Sequence, residues 1–241
     1  MAEKPPIKCI AFDIHGTLYH ETKASKRRAR SAKVRVLRSL GYDVSIPRFD
    51  AAMEKVRTEH KKSWAKKGFF WYDEKVLELL GIPPSRSVFT MMRDAHYSHR
   101  ENDHSPRRIS PRVKNLMRFL ARKEIVTGVI SDSLVNWGRR WVKKHELGIA
   151  DHRIIISCEV NADKSRVHIF RLFLKNIRKE FPHIKAQNIL MVGDSPRDMN
   201  ARKAGFQTCW YNPKNNEFSS AWDSKPDYVI RNFLELKKIL E

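Results

Sequence analysis

Apolar residues along this chain fall into two kinds of pattern. Residues 7–12, Ile-Lys-Cys-Ile-Ala-Phe, form a short run rich in strand formers that ends at Asp13 and is followed by Gly16 and Thr17. Four similar runs come late in the chain, at Ile125–Ile130, Ile154–Cys158, Ile189–Val192 and Phe206–Tyr211. Near-continuous apolar strands of this kind suit a parallel sheet covered on both faces. Between them the apolar spacing changes to that of helices. Val113, Leu116, Met117 and Leu120 share one face, as do Leu134, Trp137, Trp141 and His145, and then Val167, Phe170, Leu174, Ile177 and Phe181. Strand then helix, repeated, predicts an α/β fold with a doubly wound, Rossmann-like parallel sheet.

Residues 19–105 break that rhythm. The segment shows helical stretches near 23–40, 50–66, 73–81 and 85–98 but no convincing strand, and Leu40-Gly41, Gly68 and Gly81-Ile-Pro-Pro84 punctuate them. The expected layout is therefore a core of residues 1–18 and 106–241, interrupted by an all-helical domain of residues 19–105. The polar, proline-bearing stretch Asn102–Pro111 reads as the hinge back into the core.

Composition narrows the class. The 241 residues are 41% hydrophobic, enough for a core, and 31% charged. No apolar run approaches the ~20 residues of a membrane span, and the start Met1-Ala-Glu-Lys-Pro-Pro6 resembles neither a secretory signal nor a presequence. Cys9, Cys158 and Cys209 are far apart and lack a Cys-x-x-Cys pair, which excludes a disulfide framework or a zinc ribbon. A cytoplasmic protein without membrane attachment is expected.

Lysine and arginine number 48 against 27 acids, a net charge of +21 that favours polyanions. Eight basic residues and no acid lie between Lys23 and Arg38, on a helical pattern with an apolar face at Ala29, Ala32, Val36, Leu37 and Leu40. Nucleic acid or another polyanion is thus a candidate partner for this helical face, with a plain solvated surface as the alternative. No RNA-recognition consensus, Cys/His finger or zipper supports a nucleic-acid function further.

In open parallel sheets, function collects at the carboxyl ends of the strands. Here those ends carry Asp13-Ile-His15-Gly16-Thr17, Ser131-Asp132-Ser133, Lys164 beyond the third run, and Gly193-Asp194-Ser195-Pro196-Arg197-Asp198. A carboxylate, a hydroxyl, a cation and a second acidic pair on one rim are the parts of a phosphoryl-transfer site. The carboxylate attacks phosphorus, a metal neutralises charge, and the hydroxyl and lysine hold the equatorial oxygens.

These segments, in this order, resemble the haloacid dehalogenase (HAD) superfamily of aspartate-nucleophile hydrolases. Ile10–Leu18 is similar to the family's Asp-x-Asp-Gly-Thr loop except at His15, and Val129–Asp132 to its strand ending in Ser or Thr. Ser157–Phe170 is similar to its lysine segment, with Ser165 where proline is usual, and Val192–Asp198 to its acidic loop. The helical insertion looks like the family's helical (C1-type) cap.

The resemblance implies a Mg²⁺-dependent phosphohydrolase acting on a small phosphorylated metabolite through a phosphoaspartate. Asp13 would be the nucleophile. Asp13, Asp194 and the backbone carbonyl of His15 would hold Mg²⁺, with Asp198 in support. Gly16, Thr17, Ser131, Asp132 and Lys164 would meet the substrate, and Lys164 would also compensate Asp13.

His15 departs from the family, whose phosphatases carry an aspartate there as proton donor. Three readings stay open. Imidazole, with an ordinary pKa of about 6.5, does the acid–base work. Alternatively turnover is slow because the usual acid is gone. Or the reaction is a 2-haloacid dehalogenation, for which the family carries tyrosine at this position and needs no metal; the acidic loop Gly193–Asp198 speaks against it. A rival from another class is a catalytically weak HAD-like protein bound to RNA or a ribonucleoprotein.

Other features carry less. The basic–aromatic stretch Lys61–Tyr72 could stack on single strands but reads better as cap interior and cleft lining, with Trp64 continuing the stripe Met53, Val56, His60. His96, His99 and His104 lack a fourth ligand for a metal cluster, His20 is a loop histidine as much as a substrate contact, and Trp137, Trp141 and Trp210 are packing residues first.

Overall fold

A computed structural model describes residues 4–20, 23–59, 71–101, 110–133, 135–218 and 225–241. The chain divides into two compact units, Met1–His20 with Arg108–Glu241, and Glu21–Arg107.

The first unit is built on a six-stranded sheet. The strands are β1 (Cys9–Phe12), β2 (Val126–Ser131), β3 (Ile154–Ile156), β4 (Ile189–Gly193), β5 (Gln207–Tyr211) and β6 (Tyr228–Ile230), in the spatial order β3-β2-β1-β4-β5-β6. Every pairing is parallel. β1 and β4 are buried along their whole length, which explains their unbroken apolar sequences. The chain leaves β1 to build one half of the sheet through β2 and β3, and the other half through β4, β5 and β6. The topological switch point, where ligands bind in such sheets, therefore lies between β1 and β4.

Helices α5 (Pro111–Arg122), α6 (Val135–Lys144), α7 (Ser157–Val160), α8 (Val167–Glu180), α9 (Pro196–Met199) and α10 (Phe233–Ile239) connect and follow these strands. α5 buries the expected Val113, Leu116, Met117 and Leu120, and Ser110 caps it by accepting from the Arg112 amide. α8 buries Phe170 and Ile177 of the stripe that spacing predicts, together with Ile169 and Phe173, while Leu174 and Phe181 pack partly buried against the same core. On β2, Gly128 lets Phe173 and the Arg153 carbonyl come so close that a Cβ there would meet them at 2.5 and 2.8 Å.

Two expectations need correction. The third apolar run is a strand only to Ile156; from Ser157 the chain turns into α7, closed by Asn161 in the left-handed region. β6 and α10 were not expected, because three residues with Val229 half exposed give no readable alternation.

The second unit holds helices and no strand among its described residues: α1 (Lys23–Ser39), α2 (Ile46–Glu59), α3 (Trp71–Leu79) and α4 (Arg86–Glu101). α2 begins earlier than the spacing predicts, because Pro47 is tolerated in a first helical turn. Leu37, Phe49, Val56, Leu77 and Met92 form its core. On α1, Lys23, Lys26, Arg27, Arg28, Arg35 and Arg38 are exposed, whereas Arg30 pairs with Asp50 at 3.0 Å and Lys33 with Asp73 at 3.0 Å. Residues 60–70, with His60, Trp64 and the Phe69–Phe70 half of the expected cleft lining, lie outside the described residues, as do His104, Leu134 and most of the expected hinge; Trp71 and Tyr72, the other half of that lining, pack partly buried against the helical core, and of the side chains of His99 and Trp137 nothing is described. No helix among the described residues is long and apolar enough to cross a membrane.

Asp73 is buried between two cations, with Lys33 at 3.0 Å and Arg93 at 2.8 Å. Burial alone would raise its carboxyl, but Lys33 and Arg93 draw it down to about 2. A carboxyl whose folded value lies below its unfolded value of about 3.9 adds stability above that value and loses it as pH falls toward the folded one. Asp73→Asn should therefore lower unfolding stability by on the order of 2 kcal/mol at pH 6, and the gap from wild type should close between about pH 4 and pH 2. Urea titrations of both proteins across that range check it.

Candidate active site

The switch point holds a cluster of charge. Asp13 follows β1 directly, and its amide donates to the Val192 carbonyl at 2.9 Å, so its position is an extension of the β1–β4 ladder. It is 5% exposed. Lys164, 3% exposed, reaches in from the loop after α7 and places its ammonium 2.9 Å from Asp13 Oδ1 and 2.5 Å from Asp198 Oδ1. Asp198 is fully buried; its second oxygen accepts from the Ser195 amide at 3.0 Å and the Ser195 hydroxyl at 2.7 Å. That is the capping arrangement of a helix start, so Asp198 closes α9 and anchors Lys164 at once.

Asp194, exposed, completes the group: oxygens of Asp13, Asp194 and Asp198 lie within 4.8 Å of one another. Two glycines make this packing sterically feasible. A Cβ on Gly16, whose φ is +80°, would fall 1.9 Å from Asp194 Oδ2, and one on Gly193 would fall 2.1 Å from Asp198 Cγ. Gly16 sits in a tight loop in which its amide donates to the Tyr19 carbonyl and the Tyr19 amide to that of Ile14. The Trp210 indole donates to the Asp194 carbonyl at 3.2 Å, a contact that reading Trp210 as packing alone did not anticipate.

Burial pushes the Asp13 carboxyl well above its ordinary range; Lys164 opposes this, and Asp198 and Asp194 add to it. Burial works against the Lys164 charge as well, but Asp13, Asp198 and Asp132 more than reverse it, so the ammonium is retained. Three carboxylates around one ammonium concentrate negative charge in a buried place. The all-oxygen donor set and that charge fit a hard divalent cation such as Mg²⁺, and such a cation would favour the ionised form of Asp13.

Two further polar atoms point to an oxygen-rich ligand. Thr17 Oγ1 and Ser131 Oγ belong to fully buried residues and have no hydrogen-bond partner among the described residues. Asp132, expected among the substrate contacts, is committed elsewhere: it accepts from the Lys164 amide at 3.1 Å and pairs with Arg197 at 3.0 Å. Burial pushes its carboxyl up, with Arg197 and Lys164 opposing. His15 is half-buried, its ring edge-on to Tyr19 with centroids 5.7 Å apart. His20 is exposed and lies 5.7 Å from the Tyr211 ring. Sequence reasoning passed over Arg197, Asp163 and Asn200. Of these, Arg197 gave one signal, a cation placed between two acids in the acidic loop.

Residues 7–205 match the model of the haloacid dehalogenase-like hydrolases. The chain belongs to that family. One relative, the (S)-2-haloacid dehalogenase of Pseudomonas fluorescens, is 30% identical over 125 residues, a stretch that spans 52% of this chain and 52% of that protein. This hydrolase also matches the structure of the HAD hydrolase YfnB from Bacillus subtilis bound to magnesium, with TM-score 0.67, 15% identity and coverage of 98% and 100% of the two chains. A predicted phosphoglycolate phosphatase from Haemophilus somnus is similar at TM-score 0.66 and 17% identity, covering 98% of each chain. These likenesses show the HAD fold; the names of the relatives include both a dehalogenase and a predicted phosphatase.

Gly16→Ala should displace Asp194 and weaken any binding of Mg²⁺ to the carboxylate cluster by about 10- to 100-fold, the usual cost of disturbing a ligand's support. Calorimetric titration of both proteins with MgCl₂ reads this directly.

Proposed function

We propose that this HAD hydrolase is a Mg²⁺-dependent phosphatase that uses Asp13 as nucleophile on a small phosphorylated metabolite. The observation that carries the reading is the gathering of Asp13, Asp194 and Asp198 within ligand distance beside the Lys164 ammonium. A metal-free dehalogenase has no need of such a carboxylate set. The helical unit is taken for the family's cap, of the kind that admits small substrates.

In this reading one Asp13 carboxylate oxygen attacks phosphorus as the ester P–O bond breaks, and the leaving oxygen takes a proton from the His15 imidazolium. Water then attacks the acyl phosphate on Asp13. His15 takes up the water's proton, inorganic phosphate leaves, and the Asp13 carboxylate is restored. Lys164 and the Ser131 and Thr17 hydroxyls hold the phosphoryl oxygens. A divalent ion held by Asp13, Asp194 and the His15 carbonyl, with Asp198 in support, would neutralise charge on the transferring group.

Hydrolysis of 4-nitrophenyl phosphate should require added Mg²⁺, stop with chelator, and be lost in Asp13→Asn. Halide release from a 2-haloacid in the presence of chelator, with no phosphatase activity, would overturn the proposal in favour of dehalogenation. His15→Asp should preserve or raise phosphatase kcat. Replacing His15 with alanine should lower it by roughly 10²–10⁴, the usual worth of a general acid–base group, and a steady-state comparison of the three proteins decides between them.

A further inference from the structure

A second set of buried charges lies beneath the site, and the chemistry just described does not use it. Arg197, on α9 between Asp194 and Asp198, is 7% exposed and turns inward. One guanidinium nitrogen lies 3.0 Å from Asp132 Oδ2, and the other 3.3 Å from Asp163 Oδ1. Asp132 follows β2, Asp163 precedes Lys164, and Arg197 follows β4. A single planar group thus ties three of the loops at the carboxyl edge of the sheet.

The grip converges on Lys164. Asp132 Oδ1 accepts from its amide at 3.1 Å, and Asn200 Nδ2 donates to its carbonyl at 2.9 Å, so the backbone is held on both sides of the residue. Asp163 in turn accepts from the Ser165 amide at 2.9 Å and from the Ser165 hydroxyl, which fixes the following residue, at the position where the family usually has proline. Burying two carboxylates and a guanidinium is expensive, and well-packed apolar residues of similar volume often serve stability as well or better. What such a network supplies is geometry: one planar cation at ion-pair distance from both carboxylates at once, a span that the point charge of lysine does not reproduce.

We infer that Arg197 is a positioning residue for Lys164: through Asp132 and Asp163 it locks the loop that aims the Lys164 ammonium at Asp13. The inference rests on the phosphatase reading for its kinetic consequence but not for its structural one. In Arg197→Met, kcat for 4-nitrophenyl phosphate falls by about 10- to 100-fold, as when the support of a site residue is removed, while KM changes less than threefold. Arg197→Lys recovers only part of the loss. Hydrogen exchange, read on the peptide containing Lys164, shows the second effect: the amide donated to Asp132 is protected in wild type and loses protection in Arg197→Met by more than the fall in overall stability accounts for, that fall being read from the urea midpoint and expected because two buried carboxylates lose their cation.

Wild-type kcat together with wild-type protection in Arg197→Met overturns the inference. A wild-type protein without phosphatase activity removes the proposed function but leaves the exchange result to decide the lock. If Arg197→Met does not fold, Arg197→Lys and Asp163→Asn carry the test. A drop in kcat with faster exchange at Lys164 supports the lock, and unchanged values overturn it.

Discussion

The Lys164 ammonium, buried between Asp13 and Asp198, is the contact around which this site is arranged. A charge withdrawn from water is tolerated only when opposite charges and hydrogen bonds meet it at close range. Each of these partners comes from a different part of the chain. β1 and β4 lie side by side, which brings Asp13 to the loop bearing Asp194 and Asp198; the loop after α7 then supplies the cation. The same ion pair explains the local sequence. Ser195 occupies the second oxygen of Asp198 and leaves the first for lysine, and Gly193 gives the carboxylate room to fold back.

The cluster also bears on how one fold hosts two chemistries. The relatives include a dehalogenase and a predicted phosphatase, and the family resemblance implies that both kinds start from a carboxylate at the end of the first strand. In the reading proposed above, the difference lies in how much negative charge surrounds that carboxylate. Burial, with Asp198 and Asp194 adding to it and Lys164 opposing, pushes the Asp13 carboxyl above its ordinary range, and a divalent cation joining the group would favour its ionised form. The surroundings of the nucleophile, rather than the nucleophile, then select the reaction.

Much of this was legible in the sequence, and the reason is local. The central strands are buried on both faces, so their apolar runs are unbroken and their final residues stand out: Asp13, Ser131 and Asp194 each follow or end such a run. Lys164 was noted beyond the third apolar run, but its role came through resemblance, since nothing in its spacing marks a buried cation. Arg197, Asp163 and Asn200 escaped because their roles depend on side-chain direction across loops distant in sequence, which periodicity does not carry. β6 and α10 escaped because an edge strand of three residues, with Val229 turned to solvent, has no pattern to read. On α8 the helix was evident and Phe170 and Ile177 of the expected stripe are buried; Ile169 and Phe173 join them, since Gly128 opens the space into which the Phe173 ring packs.

The sheet order has a consequence for how the molecule comes into being. Cys9 of the central strand pairs with Val126 on one side and Ile189 on the other, so the first strand translated waits for partners made much later. Contacts of such long sequence separation are slow to close, because the ordering entropy of the intervening chain must be met before they reward it. During synthesis the helical unit can assemble on its own local contacts, whereas the apolar stretch Cys9–Phe12 stays unsheltered until most of the polypeptide has emerged. Until those partners are made, Cys9–Phe12 is an apolar segment that a holding chaperone would have to cover.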